Sequence, residues 1–102
     1  MKKLLFLIIL TLISHAWAST PIKVCERSGD IKVRAACVQH VNHAQHWDLR
    51  AVEMCENLYF ENAAIACLYK IADKKYKDNE IQICRQMPTD TSTVNCLSSA
   101  GD

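Results

Sequence analysis

Apolar residues recur along this chain at helical spacing, and they do so around paired cysteines. In each of three copies, apolar residues lie two positions before, one position after and four positions after the second cysteine of a pair. Such offsets place apolar side chains on one helix face, whereas a half-buried strand would show strict alternation. The pattern predicts an all-α protein. The positions are Ala35, Val38 and Val41, then Ile65, Leu68 and Ile71, then Val94, Leu97 and Ala100.

The cysteines define an internal repeat. They occupy positions 25, 37, 55, 67, 84 and 96, so Cys-x11-Cys occurs three times with a period of about 30 residues. The spacer inside each pair is constant, which predicts the disulfides Cys25–Cys37, Cys55–Cys67 and Cys84–Cys96. The predicted fold is therefore three short disulfide-stapled helical hairpins in tandem.

The residues between paired cysteines test this hairpin prediction. Ser28-Gly29-Asp30 and Met87-Pro88-Thr89 supply turn residues in the first and third spacers, because glycine, proline and capping side chains end and restart helices. The middle spacer has neither glycine nor proline. Residues 48–73 therefore form either a hairpin or one continuous helix. In a continuous helix Cys55 and Cys67 would lie about 18 Å apart, too far for a disulfide. The repeat favours the hairpin.

The N-terminal residues have the three parts of a secretory signal peptide. A basic start, Met1-Lys2-Lys3, precedes an apolar run from Leu4 to Ile13, and Ala16-Trp17-Ala18 offers small residues for cleavage. We expect residues 1–18 to be removed, leaving residues 19–102 as a single small cysteine-rich helical-repeat domain. The apolar run is shorter than the roughly 20 residues that span a bilayer, so we expect no stable membrane anchor. An even number of cysteines in such a chain indicates disulfides and an exported protein, periplasmic or secreted.

The charge of the mature chain excludes one class of partner. Without Lys2 and Lys3, the 12 basic residues fall to 10, against 11 acidic ones. A chain without a basic field is not expected to bind nucleic acid or anionic lipid.

Motifs of common enzymes do not occur in the sequence. The chain has no Cys-x-x-Cys, Gly-x-Ser-x-Gly, His-Glu-x-x-His, P-loop or dinucleotide-binding glycine motif. Regularly repeated cysteines are typical of structural staples. We expect neither catalysis nor a cofactor.

A histidine series offers the one alternative chemistry. His40, His43 and His46 lie three residues apart, and two or three imidazoles can hold a soft divalent metal. No carboxylate or cysteine pattern completes such a site. A polar linker entering the second unit is therefore the favoured interpretation, and metal binding stays an alternative.

Aromatic residues are the remaining candidates for function. Trp47 and Tyr76 each lie eight residues before a first cysteine, which predicts packing between units. Tyr59 and Phe60 lie in the predicted middle turn, where they either contact a protein partner or fold back over the hairpin core. The leading hypothesis is an exported protein-binding module, without catalysis, whose partner is unknown. The alternatives are a secreted inhibitor or toxin-like effector, and a small metal-binding protein.

Overall fold

The computed structural model describes residues 20–102, which form six helices and, within that range, no strand. The all-α prediction is confirmed for these residues, and the predicted signal peptide lies outside them. None of the six helices is both long and apolar enough to cross a membrane. The helices are α1 Pro21–Cys25, α2 Ile31–His43, α3 Leu49–Glu56, α4 Glu61–Ile71, α5 Asp78–Arg85 and α6 Asp90–Ser99.

Consecutive helices form three disulfide-linked hairpins, here called unit 1 (α1–α2), unit 2 (α3–α4) and unit 3 (α5–α6). The pairs Cys25–Cys37, Cys55–Cys67 and Cys84–Cys96 are bonded as predicted, with Cα–Cα distances of 5.5, 5.4 and 5.4 Å. Unit 2 is a hairpin, so the alternative of one continuous helix over residues 48–73 is wrong.

Capping side chains explain where several helices begin. The Asp30 carboxylate accepts hydrogen bonds from the Lys32 and Val33 amides at 2.8 and 3.4 Å, which satisfies two free N–H groups of α2. The Asp48 carboxylate accepts from the amide of Arg50 at the start of α3. Thr89 exchanges hydrogen bonds with Ser92 in a capping box, which starts α6 in a sequence with few strong helix formers.

One hydrophobic core runs through the three units, and α4 lies at its centre. This helix packs against α3 of its own unit, α6 of unit 3 and α1 of unit 1. Leu68 and Ile71 are fully buried there. Tyr76 is buried in the core and Trp47 packs against it, which confirms the predicted role of both rings. Unit 1 differs from the repeat pattern, because Cys37 is the one buried residue of α2 and Ala35 is exposed.

The end of α6 is held by the segment that connects units 2 and 3. Lys74 Nζ donates to the carbonyls of Ser98 and Ala100 at 2.8 and 2.7 Å, which places a cation at the helix C-terminus. The Tyr76 hydroxyl donates to the Leu97 carbonyl at 2.6 Å. These bonds stabilise the Ser- and Thr-rich last helix by tertiary contact.

Candidate functional site

The turn of unit 2 departs from the other two turns at two positions. Tyr59 lies four residues after a first cysteine, where the other units have Gly29 and Pro88. Phe60 lies at the next position, the N-cap of the second helix, where the others have Asp30 and Thr89. Phe60 has no capping side chain, so the residues that favour a turn and a helix start are missing from unit 2.

Both aromatic rings point away from the core. Tyr59 is 82% exposed and Phe60 is 63% exposed. The two rings contact each other edge to face, with centroids 4.8 Å apart and planes at 81°. They do not cover the hairpin core. We call this pair of side chains the aromatic tip.

Arg27 of unit 1 holds the carbonyl groups of the middle turn. Its guanidinium donates to the carbonyl oxygens of Glu56 at 3.0 Å, Leu58 at 2.6 Å and Tyr59 at 3.2 Å. The first two carbonyls lie at the C-terminal end of α3, where a cation is favourable both as a hydrogen-bond donor and through the helix dipole. The planar fork of an arginine suits this arrangement because it presents several donors in fixed directions.

Asp90 of unit 3 holds the amide groups of the same turn. Its two carboxylate oxygens accept hydrogen bonds from the Tyr59 N–H at 3.0 Å and the Phe60 N–H at 2.8 Å. Bonds to an ionised carboxylate are stronger than bonds between neutral groups. The middle turn is therefore fixed from both sides by residues about 30 positions away in the sequence, and the three turns lie along one edge of the protein.

Sequence reasoning missed Arg27 and Asp90 as partners of the aromatic tip. A signal for Asp90 was present, because it follows Thr89, which already caps α6, so the Asp90 carboxylate can bond outside its own helix. Arg27 gave a weaker signal. It is a cation at the position where the other units have the neutral residues Asn57 and Gln86.

A cleft of about 430 Å³ adjoins the middle turn. Its apolar lining comes from Leu58 of the middle turn and from Met87 and Pro88 of the third turn. Glu53 and Arg85 also line the cleft, and neither forms an ion pair with another residue of 20–102. The cleft therefore has a mixed lining, in which Leu58, Met87 and Pro88 lie beside polar residues and the charged side chains of Glu53, Arg85 and Asp90.

The histidines of residues 20–102 are not grouped as metal ligands. Within the part of the chain that the structure describes, no three His, Cys, Asp or Glu side chains are grouped closely enough to hold a metal ion. His40 instead stacks on Tyr69 of α4, with centroids 4.2 Å apart, and meets Trp47 edge to face. The alternative of a metal-binding protein using His40, His43 and His46 is therefore not supported.

The two ion pairs found within residues 20–102 lie away from the aromatic tip. Arg50 bonds to the carboxylates of Asp48 and Asp78 and to the Tyr76 carbonyl, and so connects units 2 and 3. Burial opposes ionisation of Asp48, but hydrogen bonds from Arg50 and its charge lower the pKa of Asp48 below its usual value. This cluster has a structural role, because its members bond one another and the backbone.

Comparison of the chain with protein-family models, with curated proteins and with solved structures finds no match.

Proposed function

We propose that the protein is an exported, disulfide-stapled helical module that binds a protein partner through Tyr59 and Phe60, without catalysis of its own. One observation carries the proposal. Unit 2 has two exposed aromatic rings at the positions where its sister units have turn and capping residues. Natural sequences tend to break local folding rules at functional sites and to compensate elsewhere. Arg27 and Asp90 provide that compensation here.

The physical properties of the aromatic tip suit a binding anchor. Tyrosine and phenylalanine supply large contact areas with few rotatable bonds, and tyrosine is enriched among residues that dominate binding energy. The backbone beneath them is held by five hydrogen bonds from Arg27 and to Asp90. A surface that is already ordered loses less entropy on association, so more of the contact energy contributes to affinity.

The adjoining cleft supports the same proposal. A partner that covers the aromatic tip would also lie over the space between Leu58 and Met87. An apolar side chain of the partner would fill this space, and polar groups would pair with Glu53 and Arg85. A rim of charge around apolar anchors is the usual organisation of a protein interface.

Export is the other half of the proposal. Three disulfides within residues 20–102 are typical of proteins that mature in an oxidising compartment. With the signal-peptide pattern of residues 1–18, they support a periplasmic or secreted location. Intact-mass measurement of the exported protein tests this, because the expected form begins at Ser19. A form that still begins at Met1 would contradict it.

Partner capture with oxidised protein tests the binding half. Wild-type protein and a Tyr59→Ala/Phe60→Ala variant serve as parallel baits, and partners are identified by mass spectrometry. A Leu49→Ala/Ile83→Ala variant is the matched control, because it also removes two exposed apolar side chains, outside the tip. We expect a specific partner to be retained by wild type and control and lost with the tip variant. Capture of the same partners in equal amounts by all three proteins would contradict the proposal.

A further inference from the structure

Helix α2 carries a stripe of apolar side chains that other helices cover only in part. Ile31 is 76% exposed and Ala35 is exposed, whereas Val38 is half-buried and packs against the edge of the core. At 3.6 residues per turn these three residues follow one line along the helix, roughly 120° from the direction of Cys37, which faces the core. A shallow depression of about 410 Å³ lies along this line. We call Ile31, Ala35 and Val38 the α2 stripe.

The same positions are packing positions in the other two units. Ala35 and Val38 correspond by repeat register to Ile65 and Leu68 of α4, which are both buried. In unit 3 the equivalents are Val94, which packs against the core, and Leu97, which is fully buried. Helix α4 has neighbours in all three units, whereas α2 packs mainly against α1. A face that is covered by helices in units 2 and 3 is therefore exposed in unit 1 at Ile31 and Ala35, and only its Val38 end packs against the core.

The first residue of α2 is apolar, although the first residue of the second helix is acidic in the other two units. Glu61 and Asp90 occupy this position in α4 and α6, where an acidic side chain favours the helix N-terminus. Unit 1 has Ile31 there, with three quarters of its surface in water. This substitution extends the apolar stripe to the start of the helix and gives up a favourable charge.

Unpaired positive charge flanks the α2 stripe on both sides. At 100° per residue, Lys32 and Arg34 lie on opposite sides of Ile31. Neither forms an ion pair with another residue of 20–102. The Nε of Arg34 is buried and has no hydrogen-bond partner among those residues. Helix α2 contains no acidic residue, and the carboxylate of Asp30 before it is engaged in capping the helix.

From this combination we infer that the α2 stripe is a docking site for an acidic amphipathic helix of a partner protein. Apolar side chains of the partner lie on Ile31, Ala35 and Val38, in the way that units 2 and 3 cover the equivalent positions. Carboxylates along the edges of the partner helix pair with Lys32 and Arg34. Complementary charge of this kind sets the orientation and the choice of partner.

A second copy of the chain fits this surface poorly. Packing two α2 helices against each other would bring Lys32 and Arg34 of both copies together, and like charges at an interface are unfavourable. The outer surface of α6 offers no apolar seam, because its exposed residues are Thr91, Asn95 and Ser99. Polar outer faces of this kind are usual for the end of a repeat array. The outer face of α6 is therefore polar, whereas α2 exposes the apolar residues Ile31 and Ala35.

Peptide titration followed by NMR tests the inference on the oxidised, exported protein. The probe is a synthetic helical peptide of about 18 residues, five turns, with leucines along one face and glutamates on both edges. A second peptide has lysine in place of every glutamate. We expect the acidic peptide to shift the amide signals of residues 31–39, and the lysine peptide to leave them unchanged.

Three variants decide between docking and incidental binding. Lys32→Glu/Arg34→Glu and Ala35→Glu should each weaken binding of the acidic peptide by roughly tenfold or more, with unchanged circular dichroism. Tyr59→Ala/Phe60→Ala should leave it unchanged, because this docking site does not depend on the aromatic tip. No binding, equal binding of the lysine peptide, or shifts located elsewhere would overturn the inference. Concentration-dependent dimerisation through α2, seen by sedimentation, would also overturn it by making a second copy the occupant.

Discussion

The carboxylate of Asp90 accepts a hydrogen bond of 2.8 Å from the backbone N–H of Phe60, a residue of another unit. Its second oxygen accepts from the neighbouring Tyr59 N–H. The Phe60 side chain cannot cap its own helix. The hydrogen bonds that fix the start of α4 therefore come from Asp90 of unit 3, and not from a residue of unit 2. The geometry of the aromatic tip therefore depends on packing between the units.

Replacing Asp90 should loosen the aromatic tip without removing a ring. Asp90→Ala leaves two amides to water and removes a charge-assisted contact, so we expect a loss of about 1–2 kcal/mol in the free energy of unfolding. Hydrogen exchange of the Tyr59 and Phe60 amides should become faster. Thr91→Ala is the control, because Thr91 is an exposed neighbour in the same helix turn. If exchange at both amides were unchanged, Asp90 would not hold the turn.

Substitution by alanine should destabilise the protein at Gly101 but not at Gly29. Gly101 has φ +77°, and an added Cβ would lie 2.9 Å from Tyr76 Cε1 and 3.0 Å from the Lys75 carbonyl oxygen. Gly101→Ala should therefore destabilise the protein by about 1–2 kcal/mol, because the backbone conformation and the space both disfavour it. Gly29→Ala is the matched control, since nothing lies within 4 Å of its added Cβ. Equal melting temperatures for both variants would refute the assigned packing of the C-terminal segment.

Glu80 should make the free energy of unfolding depend on pH. Its carboxylate accepts hydrogen bonds from the backbone N–H of Lys77 at 2.8 Å and of Gly101 at 3.0 Å, and these lower its pKa below the usual 4.5. Because the pKa is lower in the folded protein, this stabilisation is present above about pH 4.5 and is lost as the pH falls further.

The matching measurement is the melting temperature of Glu80→Gln between pH 6 and pH 3. The variant should melt below wild type at pH 6, and the difference should shrink towards pH 3. Glu53→Gln is the control, because the Glu53 carboxylate makes no hydrogen bond within residues 20–102. A difference that stays constant over this range would show that the ionised form of Glu80 is not what stabilises the fold.

Reduction of the disulfides should melt most of the helical structure. Each bond closes a short loop and contributes roughly 3 kcal/mol by restricting the unfolded chain. A small domain buries too little apolar surface to stay folded once several such contributions are lost. Far-UV circular dichroism with and without reductant measures the effect, and non-reducing peptide mapping confirms the starting pairs. Full helicity in reductant would contradict the role of the staples.

The hairpins and their bonds could be predicted from the sequence because their determinants are local and repeated. Constant cysteine spacing, Gly29, Pro88 and the apolar offsets around Cys67 all act within one unit. The middle turn was harder to predict, since the side chains that fix it, Arg27 and Asp90, come from the other two units. Sequence could place Tyr59 and Phe60 in a turn but could not tell whether the rings face the core or water.

The position of α2 shows a second limit of the repeat pattern. Its apolar offsets match those of α4, which predicts equal burial, yet Ala35 is exposed and Ile65 is buried. Burial depends on which neighbour covers a face, and unit 1 meets unit 2 mainly through α1, with His40 of α2 stacked on Tyr69 of α4. A helical period identifies the side of a helix that can be buried, and only the tertiary arrangement decides whether it is.

The most direct test of the account is the affinity of a purified partner for wild-type protein and for Tyr59→Ala/Phe60→Ala. Isothermal titration calorimetry gives the dissociation constants, and circular dichroism with thermal melting is recorded on the same samples. We predict that the double variant loses several kcal/mol of binding free energy, as expected for two anchor residues, while it keeps its helix content and melting temperature. Unchanged affinity would show that the aromatic tip is not the binding surface. Weaker binding accompanied by lost helix or early melting would show that the rings support the fold, which contradicts the account.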